Sequence, residues 1–219
     1  MQTQHKDLNQ LNLSTIQKKI MEPTYHTSNF NKIVQNRRSV YPYQFAQDIK
    51  IPDDTIWQIL ENANRAPTHK LTEPWHFTVF AGEGLQYFSK LQADLYTKYA
   101  GEKFKEKKLK NLLEYPLMAS HVIAVGMKRS TAISIPEEEE LIAVACAVEN
   151  IYLSVTAYGF GGYLSTGGIT YFEESKPFFG LGEQDRLIGF FYLGGIGVLP
   201  NPLSKRQPVT QKVDWIDHA

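Results

Sequence analysis

The chain has 219 residues, 42% hydrophobic and 21% charged, which is the balance of a single globular domain and not of a disordered chain. Lys+Arg and Asp+Glu both number 23, so the net charge is zero and a protein that works by neutralising a phosphate backbone is not expected. Cys146 is the one cysteine, which excludes an intramolecular disulfide, a Cys-cluster zinc site and an Fe–S cluster. No stretch reads as an uninterrupted membrane span, and the N-terminus shows no apolar signal segment. The expectation is a soluble cytoplasmic protein with neither nucleic acid nor membrane as partner.

Residues 1–27 are polar and read as an N-terminal extension, leaving 28–219 as one domain. Ser28 can cap a short helix whose Phe30, Ile33 and Val34 share a face. Pro52 with Asp53 and Asp54 starts a second helix, with Ile56, Ile59, Leu60 and Ala63 on one side. It should end before Pro67. Residues 76–80 read as a strand, 84–115 as a helical region, and 121–125 as another strand. A long helix then runs from Pro136, through four glutamates at its positive end, to a stop at Gly159. It is apolar all round between Leu141 and Val148, which predicts a central buried helix with Cys146 as a small core residue. Residues 187–194 form a continuously apolar strand, expected in the middle of a sheet. The fold class is α+β, a mixed or antiparallel sheet flanked by helices around one long buried helix.

Four motifs could carry chemistry. Arg37, Arg38 and Ser39 offer guanidinium forks and a hydroxyl to an anion, although residues at a helix end can also be merely solvated. Arg65 and His69 stand in a helix-to-strand loop, a normal place for a ligand contact. The glycine-rich run 159–168 follows a helix, so it is not the strand–glycine–helix fingerprint of a dinucleotide fold. It reads equally as a flexible turn or as backbone that lets a flat ligand come close. The lysines at 103, 105, 107, 108 and 110 read as the solvated face of an amphipathic helix. No Ser-His-Asp, H-E-x-x-H or Walker pattern is visible, and no metal site is expected. Without a side-chain nucleophile or metal, a cofactor would have to carry any reaction.

Taken together, Asn36-Arg37-Arg38-Ser39, Arg65-Ala66-Pro67-Thr68-His69-Lys70, Glu73-Pro74-Trp75-His76-Phe77, Gly159-Phe160-Gly161-Gly162, the strand at 189–194 and Arg206-Gln207-Pro208 with Trp215 resemble the FMN-dependent nitroreductase family, in its small bacterial single-domain branch. The resemblance spans about residues 29–216. It implies a homodimer with FMN at the interface and NADH or NADPH as electron donor. Arg37, Arg38 and Ser39 would contact FMN from one subunit, with Arg65 and His69 reaching it from the other. Leu164, Ser165 and Thr166 would lie against the flavin ring, and Arg206 would grip the phosphate. FMN would carry the chemistry, with no catalytic side chain. A flat nitroaromatic or quinone-like acceptor would be reduced in a ping-pong cycle. Other FMN reactions on the same fold, or flavin binding without turnover, remain open alternatives. Relatives often carry Trp-Arg-Ser where this chain has Leu164-Ser165-Thr166, which implies a more open ring face.

Overall fold

A computed structural model describes residues 25–131, 134–198 and 206–217. Most of the N-terminal extension, together with Pro200, therefore lies outside the described residues. The backbone separates into two compact units at the Gln35–Asn36 junction. The first holds nearly all of helix α1, Thr27–Asn36, which has no buried residue. It begins one residue before Ser28, so Ser28 sits within the first turn and not at the cap. Phe30 and Val34 are exposed.

The second unit is an α+β domain. Its helices are α2 (Asp53–Ala63), α3 (Glu83–Tyr99), α4 (Glu106–Met118) and α5 (Glu137–Ala157). Its strands are β1 (Phe45–Ala46), β2 (Trp75–Ala81), β3 (His121–Met127), β4 (Gly161–Ser165) and β5 (Arg186–Ile196). All the strand pairs are antiparallel. β5 is central, as its continuous apolar run predicts. On one edge it pairs with β3, which pairs onward with β2. On the other edge it takes β4 and then, at its C-terminal end, β1.

The period of two along a strand splits the core between the two faces of this sheet. Val122, Ala124, Phe190 and Tyr192 face one way, packed with Phe80, Phe88 and Leu95 under α3 and α4. Ile123, Val125, Phe191 and Leu193 face the other way, packed with Ile56, Ile59, Val144, Ala147 and Ile151 of α2 and α5. Phe191 is fully buried, and truncating such a side chain to alanine costs about 3–5 kcal/mol.

Three sequence expectations change. The helical region 84–115 is two helices, because Ala100 ends α3 and Gly101 turns the chain at φ 51°. The glycine run is not a loop: Gly159 stops α5 at φ 76°, and Gly161–Ser165 then form β4. α5 is buried on one side only, with Ile142 and Ala145 exposed and Cys146 half-buried at the core margin. Helix composition alone could not distinguish the covered face from the open one.

Candidate functional site

β4 brings two of the four motifs together. Its neighbour beyond β5 is the Arg37–Val40 segment: Ser39 bridges Gly162 in parallel, and Val40 N–H donates to the Gly162 carbonyl at 2.9 Å. Glycine at 162 is required by packing, since a Cβ there would stand 2.6 Å from the Phe191 ring. Gly189 plays the same part across the ladder, where a Cβ would come within 2.7 Å of the Ser165 carbonyl oxygen. Both glycines let β4 lie close on β5 and deliver Leu164–Thr166 to the sheet end.

Tyr152 of α5 links the motifs, and no sequence pattern marked it. Its hydroxyl accepts the Leu164 N–H at 3.0 Å, and its ring carries the Arg37 guanidinium 5.0 Å from its centroid. Arg37 has no carboxylate partner among the described residues, so its donors remain available to an anion. Arg38 is held locally through its Nε donating to the Asn36 carbonyl at 3.1 Å. The Leu164 side chain turns inward against the α2–α5 core, whereas Thr166 is exposed. The backbone N–H groups of Thr166 and Gly167 donate no hydrogen bond among the described residues. Thr166 also lines a cavity of about 800 Å³, with Arg186, Leu187 and Ile188 of β5 and Arg129, Glu137 and Lys176 around it.

The second group stands apart from this one in the chain. His69 Nδ1 pairs with Glu139 at the start of α5, and both His69 and Arg65 are exposed. The loop that holds them is strained, with Lys70, Leu71 and Glu73 at φ 51°, 55° and 44°. Non-glycine residues in that region each cost about 1 kcal/mol or more. The loop is secured by the Glu73 N–H donating to Thr68 Oγ1 at 3.2 Å and by Trp75 Nε1 donating to Asn64 Oδ1 at 2.8 Å. Arg206 is exposed and has neither hydrogen bond nor ion pair among the described residues.

A tyrosine cluster also went unmarked by the sequence. Tyr41 packs on Tyr163 of β4 at 4.5 Å between centroids, Tyr163 on Tyr192 at 6.3 Å, and Tyr192 on Tyr115 at 6.4 Å. Burial pushes the phenols of Tyr192, Tyr163 and Tyr115 up from their ordinary value, so all three stay neutral donors. The lysine face needs a correction too: Lys108 is half-buried, while Lys103, Lys105, Lys107 and Lys110 are exposed.

The described residues thus combine an antiparallel α+β domain with an arginine motif alongside a glycine-rich strand, and they hold no metal cluster. The chain belongs to the nitroreductase family, whose sequence model matches residues 34–195. It is 33% identical over 141 residues to YdjA of Escherichia coli (strain K12), which carries the name of an NAD(P)H nitroreductase; the match covers 64% of this chain and 75% of that one. Its fold is similar to that of a nitroreductase-like protein from Bacillus cereus, at TM-score 0.74 and 26% identity, covering 90% of this chain and all of the other. It is also similar to a Desulfovibrio desulfuricans nitroreductase solved in complex with FMN, at TM-score 0.62 and 18% identity, covering 87% and 98% of the two chains.

Proposed function

We propose that this protein is an FMN-dependent oxidoreductase that draws electrons from NADH or NADPH and reduces nitroaromatic or quinone-like acceptors. The observation that carries the reading is the convergence on β4: Ser39 bridges Gly162, and among the described residues Arg37 stands without a carboxylate and the Thr166 and Gly167 amides have no partner. That donor set suits FMN, which needs cations for its phosphate and N–H groups at the ring. Arg37, Arg38 and Arg206 would hold the phosphate, and Ser39 the ribityl chain. The Leu164–Thr166 backbone would support the ring, with the Thr166 and Gly167 amides donating to its polar edge. When bound, FMN supplies the two-electron redox chemistry between nicotinamide and acceptor.

Donor and acceptor take turns in one pocket, because the chain offers no separate strand–glycine–helix site for a nicotinamide. The ring face is open where Leu164 turns into the core, so bulk there excludes few flat acceptors. The protein is a homodimer in this reading. Ile142 and Ala145 leave an apolar face of α5 uncovered, and Trp57 of α2 is exposed nearby in sequence to the core stripe of its helix. A second copy would cover them and bring its Arg65 and His69 to this subunit's FMN. A soluble cytoplasmic enzyme fits the half of α5 that is buried in the domain core.

Two measurements on one preparation test the proposal. The purified protein should show a bound-flavin absorbance spectrum, and initial rates of NAD(P)H oxidation at several nitroarene concentrations should give parallel lines. A colourless protein that takes up no FMN, or intersecting lines, would overturn it.

A further inference from the structure

Lys108 is the one member of the α4 lysine face that turns inward. Its side chain lies across the turn that follows β4: a Cβ at Gly167 would stand 3.4 Å from its Nζ, and one at Gly168 would stand 3.2 Å from its Cε. Gly168 adopts φ 74°, and a Cβ there would also meet Leu112 at 3.1 Å, so the turn is shaped to let this lysine pass. Lys110, one turn-face away, makes an exposed pair with Glu114 at 3.8 Å. The Lys108 side chain has neither an ion pair nor a hydrogen bond among the described residues.

An ammonium drawn off the surface without a carboxylate is unfavourable unless an anion completes it. Burial pushes the Lys108 ammonium below its ordinary value, and no acidic side chain among the described residues offsets the effect. Its position is specific. Gly167 directly follows Thr166, whose N–H, like that of Gly167, has no acceptor among the described residues. The Lys108 ammonium thus lies against the turn just past the end of β4, beyond the strand from the Ser39–Gly162 bridge.

We infer that Lys108 is a specificity residue for the acceptor: its ammonium, held over the Gly167–Gly168 turn, pairs with a carboxylate or sulfonate on an aromatic substrate. The inference rests on the oxidoreductase reading for the substrate's role, but the anion site stands on the geometry of the turn. Arg37 is a separate cation, stacked on Tyr152, whose hydroxyl accepts the Leu164 N–H, and it serves the cofactor phosphate. Flat acceptors with an acidic substituent would then be bound more tightly than their neutral counterparts.

The test compares the flavin-loaded protein with its Lys108→Met and Lys108→Arg variants. Calorimetric titration with benzoate and with benzamide reads binding without turnover. Steady-state KM for 4-nitrobenzoate and for nitrobenzene reads the substrate, and an FMN titration of the apoprotein reads the cofactor. Lys108→Met should weaken benzoate binding about tenfold and raise the KM ratio of 4-nitrobenzoate to nitrobenzene by a similar factor. Lys108→Arg should restore most of both, and FMN affinity should change less than twofold. Equal effects on charged and neutral compounds would overturn the inference, as would a tenfold loss of FMN affinity, which would make Lys108 a cofactor ligand. Lys108-dependent benzoate binding in a protein that oxidises no NAD(P)H would break the oxidoreductase reading and leave the anion site standing. Turnover with benzoate binding indifferent to Lys108 would remove the anion site alone.

Discussion

The two ends of the sheet both gather polar side chains, and they do so in opposite ways. At the start of β3, Ser120, His121 and Asp53 assemble the residue types of a hydrolytic triad beside a cavity of about 730 Å³. Ser120 Oγ already accepts the Ile51 N–H at 2.8 Å and lies 3.1 Å from His121 Nδ1, and His121 Nε2 lies 3.0 Å from Asp53. Every member is occupied, and Ser120 and His121 are buried. Along β4 and the turn that follows it, Arg37, Lys108 and the Thr166 and Gly167 amides have donors to spare among the described residues. A closed polar network holds a fold together, while one with unspent donors of one sign awaits a ligand.

The comparison can be broken by mutation. The largest effect is expected at a second closed network, where the buried Glu140 carboxylate pairs with Arg129 and accepts the Ser130 N–H at 3.1 Å. Glu140→Ala leaves the Arg129 guanidinium without its counter-charge and should cost about 3–5 kcal/mol, read as a lowered urea midpoint. A change within about 0.5 kcal/mol would show that the network is not closed in solution. Next comes Ser120→Ala, which strands the Ile51 N–H and should cost about 1–3 kcal/mol in the same assay. Because the triad-like cluster is structural here, NAD(P)H oxidation by the folded fraction should persist. Its loss at full stability would mean that the back of the sheet takes part in function.

The smallest effect is a pH slope. Burial pushes His121 below its ordinary value of 6.5, the Asp53 carboxylate opposing only in part. His76 is lowered too, chiefly by burial and then by Lys128. The unfolded chain therefore binds protons that the folded one refuses as pH falls below about 6.5. Stability is full above that value and declines on acidification. The urea midpoint should fall from pH 7.5 to 5.5, with a shallower fall in His121→Gln. A midpoint that rises over that interval would contradict the assignment of His121 as a neutral hydrogen-bonding link.

Much of this was legible in the sequence, for local reasons. Pro136 and Gly159 bracket α5, and the apolar run 187–194 marks the central strand, because caps and hydrophobic runs act over a few residues. β4 was missed because its identity as a strand is non-local. Gly161 and Gly162 have poor strand propensity, and only the pairing with β5 and Ser39 makes them extended. Arg37–Ser39 and Leu164–Thr166 were marked separately, but Tyr152, which joins them, has no motif around it. Lys108 looked like its neighbours because helical spacing does not say which turn another segment will cross. The Ser120–His121–Asp53 contact escaped for the same reason, since Asp53 comes from a different helix.

The central claim is that the open end of the sheet, at Arg37 and β4, is where FMN binds. The measurement that tests it most directly is the FMN dissociation constant of the apoprotein and of Arg37→Ala, read by flavin fluorescence. A charge-assisted bond to phosphate contributes about 1.5–3 kcal/mol, so Arg37→Ala should weaken FMN about ten- to a hundredfold with the urea midpoint little changed. An Arg37→Ala protein that binds FMN as tightly as the parent would contradict the account.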